Sequence, residues 1–162
     1  MSGYPEHSVS AIAVIEDDDG RILAIRRNDN GRWVPPGGIV EYDESLVDAV
    51  RREAREETGL TVEPLRLGAV YKYRNPERGV VSLMFLCRVL SGTLTTNDEA
   101  GAFWWMTAAE VAANMSPTFA QRVFDTLEGP AVPVRSHDEH RVLAEVDLPG
   151  VEAGRPGGKV MS

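Results

Sequence analysis

Cysteine occurs once in these 162 residues, at Cys87. An internal disulfide is therefore excluded, and the chain is expected in a reducing compartment, the cytoplasm. Cys87 stands in the apolar run Val81–Leu90, where a buried structural thiol is expected. No uninterrupted apolar stretch approaches the roughly 20 residues that span a bilayer, so no membrane partner is expected. Met1–His7 has neither a basic n-region nor an apolar core, and no signal peptide is expected. The histidines number three, His7, His137 and His140. They show no ligand spacing, and a zinc site is not expected. Positive charge is also short: Lys and Arg total 17 against 25 Asp and Glu, a net charge of -8. Affinity for nucleic-acid backbone comes from neutralising phosphates, so a nucleic-acid partner is not expected. An acidic chain that binds a small phosphorylated ligand needs something to offset the repulsion, and divalent cations do so.

What is present is ordinary globular composition, 43% hydrophobic and 26% charged, in a length that suits one domain. Strand-like segments are expected at Ser8–Glu16, Arg21–Arg27, Leu65–Tyr73, Val80–Leu90 and Phe103–Met106. Ser45 with Asp48 caps a helix that Gly59 ends, placing it over Ser45–Thr58. Thr107 with Glu110 opens a short helix, and Ser116-Pro117 starts another that Gly129 closes. This order predicts an α/β domain over residues 1–129, with a mixed sheet flanked by helices. From Pro130 to Ser162 a proline-punctuated tail is expected, with an edge strand at Arg141–Leu148 and disorder over Gly150–Ser162. No internal repeat is present.

The segment Gly37–Leu60 carries the chemistry. Each helical residue advances by about 100°, so with Val47 at zero, Leu46, Val50 and Ala54 fall at about 260°, 300° and 340°. That arc is the expected core face. Glu56, Glu53 and Glu57 fall at about 180°, 240° and 280°, with Glu57 inside the apolar arc. Three like charges on neighbouring turns repel, and one set against the core also loses hydration. A cluster of hard oxygen ligands for Mg²⁺ accounts for that placement. Arg52 lies beside Glu56 on the wheel and can orient a carboxylate. Gly37-Gly38 offers a backbone bend with no side chains, so phosphate and metal can approach.

The run Gly38, five residues, Glu44, seven residues, then Arg52-Glu53-Ala54-Arg55-Glu56-Glu57-Thr58-Gly59-Leu60 resembles the Nudix box, G-x5-E-x7-R-E-U-x-E-E-x-G-U. The one departure is Ala54, where the pattern asks for a bulkier aliphatic. The match spans about 23 residues, and the flanking strand order extends the similarity over roughly residues 8–128. The resemblance implies the Nudix fold, an α/β/α sandwich around a mixed sheet. It implies a Nudix hydrolase that cleaves the pyrophosphate linkage of a nucleoside diphosphate joined to X, with two or more divalent ions, Mg²⁺ or Mn²⁺. Glu53, Glu56 and Glu57 would be metal ligands, one of them the general base. The Gly37 carbonyl would add an oxygen, and Glu44 would brace the box through Arg52. Glu99, before Trp104-Trp105, resembles the further acid that a later loop often supplies.

The chemistry expected is metal-assisted substitution at phosphorus, with a glutamate taking the proton of the attacking water. On the substrate side, Trp33 either stacks on a base or packs beneath the loop, and Gly38 admits the phosphate. Tyr71, Tyr73 and Arg74 occupy a strand-to-loop edge that could line the pocket. Pro76 falls 16 residues after Leu60, a spacing that resembles the marker of ADP-ribose pyrophosphatases. A nucleoside triphosphate, as in MutT-like members, is the competing small nucleotide, and the assembly is a monomer or homodimer. Two rivals share the fold. One is a silent nucleotide sensor, which would lose box glutamates. The other is an allylic-diphosphate isomerase, which would need a placed cysteine.

Overall fold

The computed structural model describes residues 3–138 and 142–148. Strand β1 (His7–Glu16) turns at Asp17–Gly20 into β2 (Ile22–Arg27). The Asp17 carboxylate accepts from the N–H groups of Asp19 (2.9 Å) and Arg21 (2.8 Å), the turn chemistry that an aspartate provides. Two short strands follow, β3 (Trp33–Val34) and β4 (Gly37–Ile39), and then helix α1 (Leu46–Thr58). A long hairpin, β5 (Leu60–Tyr73) and β6 (Gly79–Gly92), leads to β7 (Ala100–Met106), α2 (Ala108–Asn114) and α3 (Pro117–Glu128). The described residues close with β8 (Val132–His137) and β9 (Val142–Leu148).

The main path of the sheet runs β3-β2-β1-β6-β5-β8-β9, with β4 paired to β1 and β7 paired to β2. Pairs β1/β6 and β5/β8 are parallel and the others antiparallel, so the sheet is mixed. Alternation along β1 divides the core. Ala11, Ala13 and Ile15 pack toward α1 with Val50, Ala54 and Phe85, while Ile12 and Val14 face the α2/α3 side with Tyr71, Met84 and Val123. The outcome is the expected α/β/α sandwich. Among the described residues no helix is long and apolar enough to cross a membrane. Cys87 is buried, as expected, and burial pushes its thiol up to about 12.

Two sequence expectations change. Strand β5 starts at Leu60, five residues early, and runs past Pro64, which cannot donate to the ladder. Register shifts at Thr61/Val62, Pro64/Arg66 and Leu67/Ala69 absorb it. Residues 132–137, read as the start of a tail, form a strand whose pairing Val70↔Val134 to Tyr73↔His137 extends the sheet. Strand β9 occupies the expected Arg141–Leu148 region from Val142 onward. Gly150–Ser162 lies outside the described residues.

A buried polar network fastens β8 to α3. Asp125, 5% exposed, accepts the Tyr71 hydroxyl and a bidentate pair from Arg135 at 2.7 and 3.0 Å. Arg122, also buried, packs over the Tyr71 and Phe119 rings and donates to His137 Nε2. His137, placed by sequence in a polar tail, is 6% exposed, and burial holds its pKa below 6.5. Removing one partner of a buried pair is costlier than the pair is worth. Asp125→Ala should therefore lower the unfolding free energy by about 3–5 kcal/mol in urea titrations. A loss below about 1 kcal/mol, the range of exposed pairs, would show that this network does not fasten β8.

Candidate active site

Helix α1 begins where Ser45 Oγ accepts from the Asp48 N–H at 3.0 Å and ends at Gly59, whose φ of 81° is left-handed. Between these caps the helix buries Ala49, Val50, Ala54 and Thr58 against the sheet, and with them Glu53 (8% exposed) and Glu57 (6%). Glu57 thus lies within the apolar arc as expected. Leu46 does not; it opens the helix a turn before the packed residues and is 41% exposed.

Arg52 organises the charge. Its Nε and Nη2 donate to Glu44 at 2.9 and 2.7 Å, and Nη2 also reaches the Ile39 carbonyl at 3.2 Å. Nη1 donates to Glu53 at 2.9 Å and to Glu56 at 3.1 Å. The guanidinium holds the Glu44 carboxyl down to about 2. Glu44 also accepts from the Glu41 N–H at 2.8 Å, so it braces the loop and stands outside the cavity.

Glu57 is fixed differently. Its Oε2 accepts from the Gly37 N–H at 3.0 Å, and its carboxyl hydrogen-bonds Glu99. Burial, then the Glu99 carboxyl, push the Glu57 pKa well above the usual range, against the lowering effect of the Gly37 N–H. Burial also raises Glu53, against the pull of Arg52. The strand carrying Gly37 and Gly38 is pressed close. A Cβ at Gly38 would lie 2.5 Å from Glu53 Oε1, and one at Gly37 would lie 2.6 Å from the Ala11 carbonyl. Gly37, Gly38, Arg52, Glu53, Glu56, Glu57 and Glu99 line one cavity of about 530 Å³.

The donor set fits a hard divalent cation in chemistry: carboxylate oxygens, two of them desolvated, with Glu57 and Glu99 joined by a hydrogen bond that needs a proton a cation could replace. The side chains do not yet converge. Among the described residues no three His, Cys, Asp or Glu side chains form a ready cage. Glu53 and Glu56 are turned to Arg52, while Glu57 is turned to Gly37.

Of the residues expected on the substrate side, Gly38 lines this cavity, while Trp33, Tyr71, Tyr73 and Arg74 do not. Trp33 packs edge-on against Trp104 at 5.7 Å, at the rim of the α2/α3 core. Tyr73 stacks on His137 at 5.1 Å, and both Tyr73 and Arg74 line a second cleft with Pro76. Between Gly38 on β4 and Tyr73 on β5 lie β1 and β6, three strand spacings or about 14 Å. Sequence reasoning missed Arg27 and Asp29, which line the carboxylate cavity as a bidentate pair at 2.9 and 2.6 Å. Asp98 was missed there too. No strand period marked them, because the pairing of β2 with β7 is irregular between Arg26 and Arg27.

A family model described as NUDIX domain matches residues 6–127. The chain is 47% identical over 139 residues to a MutT-like protein of Streptomyces ambofaciens, covering 86% of this chain and 89% of that one. It is 38% identical over 99 residues to an ADP-ribose pyrophosphatase of Methanocaldococcus jannaschii, covering 58% of this chain and 59% of the relative. The crystal structure of a MutT protein from Methanosarcina mazei Go1 superposes with a TM-score of 0.68 at 26% identity, covering 77% of this chain and 96% of that one.

The raised Glu57 pKa carries a sign. A carboxyl whose folded pKa exceeds its unfolded value favours folding while protonated. Its contribution is full below 4.5 and is lost as pH rises toward about 8. In metal-free buffer the melting temperature of the wild type, relative to Glu57→Gln, should fall across that window. Parallel profiles for the two proteins would rule out a strained Glu57.

Proposed function

The chain belongs to the Nudix hydrolase family, and on that premise we propose that it hydrolyses the pyrophosphate linkage of a nucleoside diphosphate joined to a further group, using Mg²⁺ or Mn²⁺. The observation that carries this is the cavity in which Glu53, Glu56, Glu57 and Glu99 face a side-chain-free backbone at Gly37-Gly38. Its volume of about 530 Å³ is that of a small-molecule site.

Glu53, Glu56, Glu57 and Glu99, with the Gly37 carbonyl, would hold the cations. When bound, a divalent ion supplies charge stabilisation for the diphosphate and acidifies water at the site. Gly38 leaves room for a phosphate beside Glu53. Arg27, kept in place by Asp29, brings a fixed positive charge into the same cavity, where developing negative charge needs one. One glutamate accepts the proton of the attacking water as the oxygen–phosphorus bond forms. The P–O anhydride bond then breaks, and the leaving phosphate departs with its electron pair. Glu57 is oriented for such a role by the Gly37 N–H, and Arg52 orients Glu53.

The name of the Methanocaldococcus relative supports an ADP-ribose type substrate, and a nucleoside triphosphate is the competing class. A silent nucleotide sensor is disfavoured because every acid of the box is present and grouped. A phosphate-release screen with Mg²⁺ over both classes and dinucleoside polyphosphates should give activity on at least one. Glu56→Gln and Glu57→Gln should each lose about 10²–10⁴-fold of it while remaining folded by circular dichroism. Wild-type rates in both variants would overturn the assignment.

A further inference from the structure

Glu99 reaches the cavity from a loop, not from a helix or strand, so something must hold that loop at the distance the site needs. One side chain does this from the α1 side. Helix α1 ends, like any helix, with carbonyls that have no donor of their own. The Arg55 carbonyl takes the Gly59 N–H at 2.8 Å, and the Thr58 carbonyl takes the Thr95 N–H at 3.0 Å. The Glu57 carbonyl takes Asn97 Nδ2 at 2.8 Å. Through Oδ1 the same amide accepts the N–H groups of Glu99 and Ala100, both at 3.0 Å. The amide orientation is set by its partners, since carbonyls stand on one side and N–H groups on the other. Asn28 closes the loop from β2. Its N–H donates to the Glu99 carbonyl at 2.9 Å, and its Nδ2 donates to the carbonyls of Asn97 and Asp98 at 3.1 and 2.9 Å. Gly101 makes room, because a Cβ there would lie 2.3 Å from Asn28 Oδ1.

We propose that Asn97 is a positioning residue whose single amide joins the peptide bearing Glu57 to the peptide bearing Glu99, and so sets the separation of the two acids that face the cation. This rests on the hydrolase reading above. Without the clamp, the Glu99 loop keeps its Asn28 bonds on the β2 side but loses its tie to α1, so part of its ordering falls on cation binding and weakens it. The dependence runs through Glu99 and leaves Glu53 and Glu56 untouched.

Direct Mn²⁺ titration, with free ion read by electron paramagnetic resonance, tests this without substrate. Asn97→Ala should weaken Mn²⁺ binding about tenfold, as loss of groups behind metal ligands does. Glu99→Gln should weaken it at least as much, and the double variant should match Glu99→Gln alone. A residue that merely stabilises the fold would give additive losses, or a lower melting temperature with unchanged affinity, and either result overturns the proposal. Should Asn97→Ala not fold, Asn97→Ser, which can serve the loop N–H groups but is too short for the Glu57 carbonyl, carries the same cycle. A Glu99-dependent cycle in a protein that cleaves no diphosphate would sink the hydrolase reading alone. Cleavage with an additive cycle would sink the clamp alone.

Discussion

The guanidinium of Arg52 lies at the junction of α1 with the loop that precedes it, bonded to Glu44, Glu53, Glu56 and the Ile39 carbonyl at once. Glu53 and Glu56 stand one turn apart on the same helix, where like charges repel, and Glu53 is desolvated as well. A planar, permanently charged fork can hold acids in several directions, which the point charge of a lysine cannot. The helix can therefore fold with its acids gathered before any cation arrives. The loop from Ile39 to Glu44 is held by the same group. Stability and site geometry thus share one side chain, and movement of Arg52 off Glu53 and Glu56 would release the carboxylates for coordination.

Much of this was legible because it is local. Ser45, Asp48 and Gly59 mark the bounds of α1 by cap chemistry, and the wheel placed Glu57 inside the buried arc where the fold has it. Trp104 and Trp105 turn to opposite cores, as alternation along β7 requires. What escaped depends on strand order and not on sequence order. Tyr73 and Arg74 follow the box closely along the chain, but two strands separate β5 from β4. Asn97, Asn28 and Arg27 act through partners on other elements, and no periodicity marks such residues. The polar network of Tyr71, Asp125, Arg135, Arg122 and His137 is equally silent in sequence, since α3 and β8 meet only in the folded sheet.

Two of the concave regions among the described residues lie apart from each other. The acid-lined one gathers Glu53, Glu56, Glu57 and Glu99. The other, of about 790 Å³, is lined by Tyr73, Arg74, Pro76 and Arg78 at the far end of the β5–β6 hairpin. Tyr73 and Arg74 therefore belong to a different part of the molecule from the carboxylates, whereas Gly38 lies among them. On the proposed hydrolase reading, selectivity for the group beyond the diphosphate is to be sought first in the walls beside Arg27 and Ile39.

Strand β8 lies past residue 127, where the family match stops, yet it covers β5 along Val70–Tyr73. A shorter version of the chain that ended there would leave β5 with a bare row of amide and carbonyl groups on its outer side. Bare strands of this kind recruit their own kind. The C-terminal segment therefore moves the open edge of the sheet outward, from β5 to β9.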